Sequence, residues 1–211
     1  MPTSIPDIVV SRLPVYHQTL QTMLEEGQHT TSSQELGERL GISAAQIRKD
    51  LSQFGEFGKQ GTGYNIAFLL DQLKSILNMD RIWEVAIIGA GNLGHAIARY
   101  HGFAPQGFNI RLVFDSNPDL IGTHIDDLEV HDTQELIPRI KAAGIKLAML
   151  TVPDEAAQEV AEELVKAGIQ GILNYTSTPL SLPQNIVHLR HSDPVDQLQH
   201  MTYYIGKNNQ D

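Results

Sequence analysis

The chain has 211 residues, room for one large domain or two small ones, and its 41% apolar and 19% charged composition is that of a folded chain with its own core. With no cysteine there is no disulfide scaffold, thiolate zinc site, iron–sulfur cluster or cysteine nucleophile. The net charge of −10 weighs against a nucleic-acid partner on average. No apolar run approaches the roughly 18 residues of a membrane span, and no signal-peptide pattern opens the chain, so a cytoplasmic location is expected.

The charge is uneven. Between residues 39 and 63, Arg39, Arg48, Lys49 and Lys59 face only Asp50 and Glu56, so one small patch can meet phosphate. Around this patch the helical pattern predicts three helices. The first runs from about Arg12 to Glu26, with Leu13, Tyr16, Leu20, Met23 and Leu24 on one face and Gly27 as its stop. The second starts at the capping box Ser32-x-x-Glu35, carries Leu36 and Leu40 inward and breaks at Gly41. The third starts at a second box, Ser43-x-x-Gln46, and buries Ile47, Leu51 and Phe54. Two capped helices joined by a short glycine-containing turn form a helix-turn-helix pattern, over about Tyr16–Gly55.

The outer face of the third helix offers side chains that can reach base edges or phosphates: Gln46, Arg48, Lys49, Ser52 and Gln53, with Ser43 and Ala45 at its start. The glycine-spaced run that follows, residues 55–64, predicts a β-hairpin, which makes a winged helix. Lys59, Gln60, Gly61 and Gly63 of this wing are the candidate minor-groove contacts, glycine allowing close backbone approach. A linking helix from Ile66 to about Leu77 closes the segment. The expected boundaries are 1–80 for a DNA-binding domain, 81–192 for a nucleotide-binding domain and 193–211 for a C-terminal helix and tail.

The second segment opens on an aliphatic strand, Val85–Ile88, running into Gly89-Ala90-Gly91-Asn92-Leu93-Gly94 and then a helical pattern. A second strand ends at Asp115, 21 positions after Gly94. This spacing is the dinucleotide-binding fingerprint: Gly89 for the tight turn, Gly91 for approach of the pyrophosphate, Gly94 for helix–strand packing, and Asp115 for a ribose hydroxyl. No Arg or Lys follows Asp115 closely, which favours NAD(H) over NADP(H). Later strands end at Thr151-Val152-Pro153 and Asn174-Tyr175, candidates to line the nicotinamide end of a Rossmann-type parallel sheet. The nine histidines are scattered, no metal or triad motif occurs, and no metal site and no catalytic residue is expected.

Residues 46–59, the wing Gly61-Thr62-Gly63-Tyr64, the strand end Leu150–Pro153 and residues 168–175 together resemble the Rex family of bacterial redox-sensing repressors. The likeness spans nearly the whole chain. It implies an α/β architecture with a winged helix-turn-helix domain, a Rossmann domain and a C-terminal helix, about Asp193 to Ile205, swapped onto a partner in a homodimer. It further implies binding of palindromic double-stranded operator DNA and release by NADH, with NADH and NAD+ acting as effectors rather than turned-over cofactors. An Arg–Asp–Tyr network would couple the two, at Arg12, Asp193 and Tyr100. Where the family often has an aromatic residue, a basic residue and an apolar residue, this chain has Gln53, Gln60 and Pro194. Two other readings of the residues stay open: a small NAD-dependent oxidoreductase with an N-terminal dimerisation cap, and a regulator binding another nucleotide such as coenzyme A.

Overall fold

Short polar side chains start three of the helices of the N-terminal part, and these starts shape its architecture. The computed structural model describes residues 5–59 and 63–208. The chain divides into two compact units, Met1–Arg81 and Ile82–Asp211. The first contains α1 (Asp7–Val10), α2 (Leu13–Glu25), β1 (Thr30–Thr31), α3 (Ser33–Leu40), α4 (Ala44–Leu51), β2 (Gly58–Lys59), β3 (Gly63–Asn65) and α5 (Ile66–Ile76). The Ser32 hydroxyl accepts from the Glu35 amide at 3.1 Å, and Gly41, left-handed at φ +67°, ends α3. The Ser43 hydroxyl accepts from the Gln46 amide at 3.2 Å to start α4, and the Asn65 side chain accepts from the Phe68 amide at 2.9 Å to start α5.

Both capping boxes are only half formed. The Glu35 carboxylate accepts from Gln28 and Thr31, and the Gln46 amide donates to Asp50. Side chains four to seven residues away have taken the groups that the capping motif would turn back on the backbone. The core of this unit joins Leu13, Tyr16, Leu20 and Met23 of α2 to Leu36, Ile47 and Leu51, with Ile66, Leu69 and Leu73 of α5 completing it. The linking helix therefore spends its apolar face inside its own unit. The wing strands β2 and β3 pair antiparallel, and β1, which the sequence reading did not contain, adds to β3 on the other side.

The second unit contains β4 (Trp83–Ile88), α6 (Asn92–Ala98), β5 (Phe108–Asp115), β6 (His124–Ile125), β7 (Leu128–Asp132), α7 (Leu136–Ala143), β8 (Leu147–Leu150), α8 (Asp154–Ala167), β9 (Gly171–Asn174), β10 (His188–His191) and α9 (Pro194–Asn208). The sheet order is β10-β9-β8-β4-β5-β7-β6, parallel except for the edge strand β6, which runs antiparallel to β7. From β7 to β10 this is the doubly wound order of two mononucleotide-binding halves, reversing at β4.

The central strands read as unbroken aliphatic runs because both their faces are buried. Ala86 and Ile88 pack with α7 and α8, while Val85 and Ile87 face the opposite layer, with α6 at its margin. Helix α9 behaves differently. Val195, Leu198, Met201, Tyr203, Tyr204 and Ile205 are all more than half exposed. Among the described residues no helix is long and apolar enough to cross a membrane.

Candidate functional site

On α4 the helical period sorts the side chains cleanly. Ile47, Asp50 and Leu51 are buried, and Ser43, Ala45, Arg48, Lys49, Ser52 and Gln53 are exposed. A cleft of about 850 Å³ runs between the start of α3, this outer face and the wing, lined by Ser33, Arg48, Ser52, Gly58 and Tyr64 among others. Arg48 leans into it, its Nη1 donating to the Ser33 hydroxyl at 2.7 Å. The face thus carries two exposed cations, Arg48 lining the groove and Lys49 beside it in the chain, the equipment for a polyanion. Gly63 has a reason of its own in the fold: its φ is +76°, and a Cβ there would stand 2.4 Å from the Thr31 carbonyl oxygen. Gln60 and Gly61 lie outside the described residues.

Behind that face sits a group of side chains that sequence reading did not assemble. Asp50, fully buried, takes Arg12 Nε on Oδ2 at 2.6 Å and Arg12 Nη2 on Oδ1 at 2.8 Å. The Tyr16 hydroxyl also donates to Oδ2, at 2.7 Å, and Gln46 Nε2 to Oδ1, at 2.7 Å. Burial alone raises the Asp50 pKa, but the bonds from Arg12, Tyr16 and Gln46 outweigh it and hold the carboxyl below its usual range. The Tyr16 hydroxyl is pushed up, first by burial and then by donating to Asp50. Arg12, which the family pattern matched to a partner at Asp193, is in this structure forked onto Asp50. A buried carboxylate needs that fork more than an exposed one does.

In the second unit the glycine turn is built as the fingerprint requires. Gly89 has φ +103°, and a Cβ on it would lie 2.4 Å from the Thr151 carbonyl oxygen. A Cβ on Gly94 would lie 1.8 Å from the Gly89 carbonyl oxygen, so α6 can sit on the turn only without a side chain there. Gly91 is the exception, with nothing within 4 Å of its Cβ position. The protein's own atoms do not ask for glycine at 91, whereas a ligand pressed against the backbone would. Asn92, Leu93 and Gly94 open α6, where first-turn amides lack intrahelical acceptors and face incoming anions. Asp115 Oδ2 accepts from the Ala90 amide at 2.6 Å and Oδ1 from the Asn117 amide at 2.8 Å. The carboxylate therefore steadies the glycine turn, with lone pairs left for a ribose hydroxyl.

The other strand ends divide into supports, buried or half-buried, and residues left partly or fully exposed. The Thr151 hydroxyl donates to the Gly89 carbonyl at 2.8 Å and also lies 3.0 Å from that of Ile88, tying β8 to β4 beneath the turn. Asn174 is fully buried: its Nδ2 donates to the Thr178 carbonyl, its Oδ1 accepts from the Thr176 amide, and His191 lies beside it. Val152 is half-buried, Pro153 is exposed, and Tyr175 is half-buried with its hydroxyl pushed up by burial against a bond with Ser192. Asp193 Oδ1 accepts from the Val195 amide at 2.8 Å, at the start of α9. Tyr100 rests over Gly102 and edge-on to Phe103.

Comparison with known proteins matches these two regions separately and then together. Residues 4–52 match the family described as "Putative DNA-binding protein N-terminus" and residues 80–178 the family described as "CoA binding domain". The redox-sensing transcriptional repressor Rex of Roseiflexus sp. (strain RS-1) is 52% identical, over 96% of this chain and 91% of the relative. That of Clostridium botulinum (strain Alaska E43 / Type E3) is 43% identical, over 87% of this chain and 90% of the relative. Among solved structures, RSP in complex with β-NAD+ and operator DNA superposes with a TM-score of 0.92 at 40% identity, covering 98% of this chain and 95% of RSP. RSP in complex with β-NADH superposes with a TM-score of 0.89 at 38% identity, covering 98% and 97%. With near-complete coverage of full-length repressors at this identity, the chain belongs to the Rex family of redox-sensing transcriptional repressors.

Proposed function

We propose that the chain works as a homodimer that holds palindromic operator DNA with its first unit and reads NADH and NAD+ with its second, NADH binding releasing the DNA. The observation that carries this reading is the pairing, in one chain, of a cation-bearing groove on α4 with a glycine at 91 that the protein's own atoms do not require and whose open backbone a ligand can approach. RSP supports it from both sides, having been found with NAD+ and operator DNA and with NADH. The nucleotide is an effector here, so no residue is assigned a catalytic role. Acting on operator DNA places the protein in the cytoplasm of the cell.

The exposed apolar stripe of α9 supports the dimer, since a helix presenting Val195, Leu198, Met201 and Ile205 to water is one that a second copy covers. Two half-sites one helical turn apart, ~34–36 Å, can then distinguish two arrangements of the dimer by geometry alone. Asp193, at the start of α9, and Tyr100 are the residues we assign to the coupling. Arg12, with Nη1 not committed to Asp50, is the third, meeting Asp193 in the DNA-competent arrangement, with Tyr100 as the alternative partner of Asp193.

Arg48→Ala and Lys49→Ala are each expected to weaken operator binding. Loss of a base contact costs ~1–3 kcal/mol and relaxes specificity at one position, whereas loss of a phosphate contact lowers the salt slope by about 1. The bond of Arg48 to Ser33 at the groove edge favours the phosphate role for Arg48. Operator titrations at several salt concentrations check this, and unchanged binding in both variants contradicts the DNA-facing role of α4.

Asp115 is expected to set nucleotide choice. A carboxylate at this strand end accepts from a ribose hydroxyl and repels a ribose phosphate, so NADH should bind more tightly than either NADPH or coenzyme A. Calorimetry with the three ligands tests this. Asp115→Ala should narrow the preference and also loosen the Ala90 amide that it holds. Equal affinities in the wild type would remove Asp115 from nucleotide selection, and tighter coenzyme A binding would revive the other nucleotide reading.

A further inference from the structure

Gln46 sits in the first turn of α4, the part of a recognition helix that meets base edges, yet its side chain is half-buried and turned toward Asp50. It has also given up the return bond of its capping box to make that contact. Asp50 in turn receives four donors, Arg12 Nε and the Tyr16 hydroxyl on one oxygen, Arg12 Nη2 and Gln46 Nε2 on the other. A carboxylate has about four lone-pair sites, so this one is filled. Three of the four bonds come from α2 and its N-cap residue Arg12, which ties the rotation and the axial position of α4 to the helix behind it.

We propose that Asp50 is the positioning residue for DNA reading: it fixes α4 against α2 and holds Gln46 so that this amide addresses one base pair of the operator. The chemistry selects the base. With one amide hydrogen spent on Asp50, Gln46 keeps one N–H and its Oε1, the donor and acceptor that match N7 and N6 of adenine in the major groove. Gln46 is then the group that touches DNA, and Asp50 acts through it. A glutamine without such a support samples many rotamers, and each hydrogen bond it forms to a base carries the cost of ordering it. The inference rests on the DNA-reading role proposed for α4.

The test measures the affinity of the full-length protein for its operator and for a set of operators with each base pair substituted in turn, at one salt concentration. Gln46→Ala should lose about tenfold discrimination at a single A·T pair and keep it elsewhere. Asp50→Asn should lose discrimination at that same pair, and the double variant Gln46→Ala/Asp50→Asn should be no less selective there than Gln46→Ala alone. Tyr16→Phe removes one donor and no charge, so it decides the matter if Asp50→Asn does not fold: it should erode selectivity at that pair first.

Two results overturn the proposal. One is a Gln46→Ala variant that discriminates at every pair as the wild type does. The other is an Asp50→Asn or Tyr16→Phe variant that weakens all sequences equally, non-specific DNA included, which is what a purely structural role produces. Failure of the underlying DNA-reading role looks different, because then Arg48→Ala and Lys49→Ala also leave operator binding unchanged.

Discussion

Gly91→Ala is expected to abolish nucleotide binding while leaving the second unit as stable as before, and Gly94→Ala to disrupt the unit itself. The two glycines stand three residues apart in one motif, yet they answer to different neighbours. At Gly91 the backbone has φ −64° and ψ −169°, open to any residue, and no atom lies within 4 Å of the Cβ position. A methyl group there costs the folded protein nothing and blocks the approach of a pyrophosphate. At Gly94 the methyl group meets the Gly89 carbonyl oxygen at 1.8 Å and the Thr151 hydroxyl oxygen at 2.9 Å. Helix α6 must then lift off the turn, at a cost of at least the ~1–3 kcal/mol of ordinary overpacking. Thermal melting and NADH calorimetry on both variants separate the effects. A Gly91→Ala protein that binds NADH as the wild type does would falsify the assignment of this turn to the nucleotide.

Arg12→Ala is expected to loosen the first unit. Removing the fork leaves Asp50 buried with only Tyr16 and Gln46 as donors, and a buried charge stripped of its partner costs about 3–5 kcal/mol. The low end applies, about 3 kcal/mol, because Arg12 keeps 22% of its side chain in water. Hydrogen exchange on the full-length chain reads the effect where it occurs. The amides of α2 and α4 should lose protection, while NADH affinity is unchanged. Full protection in the variant would show that the pair holds nothing together. The same carboxylate sets a pH dependence with a definite sign. Its pKa is lowered on folding, so its contribution is complete above about pH 4 and fades as the pH falls through the lowered value. Operator binding between about pH 6 and 8 should therefore carry no trace of Asp50 titration.

The parts of the molecule legible in the sequence are those governed by neighbours in the chain. Ser32, Ser43 and Gly41 mark helix ends because their work is done within three or four residues. The glycine turn is legible because its strand, turn and helix are contiguous. Asp50 was harder to see: its role depends on Arg12, 38 positions away. A signal was present nonetheless. Asp50 lies on the apolar stripe of α4 between Ile47 and Leu51, and Arg12 lies one turn before Tyr16 on the stripe of α2. A charge of each sign on two core-facing stripes points to a buried pair. The strands β1 and β6 have two residues each, too short to carry a pattern of their own; β1 exists only through pairing with β3, about 34 positions on, and β6 through a tight hairpin with β7. Edge strand β10, His-Leu-Arg-His, has too little apolar content to announce itself. Asn174 reads as a ligand-facing strand end, but its position beside the chain that follows β9 turns its amide inward to hold that chain.

The gating claim needs a differential affinity large enough to move the dimer between two arrangements, ~5.5 kcal/mol for a shift from 1:99 to 99:1. The direct measurement is a titration of the full-length protein, bound to a DNA fragment selected for tight binding, with NADH, NAD+ and NADPH in parallel, followed by fluorescence anisotropy of the DNA. NADH should release the fragment over the range in which calorimetry shows it binding, with NAD+ leaving the complex intact and NADPH acting only at much higher concentration. Operator affinity that stays the same at saturating NADH would contradict nucleotide gating.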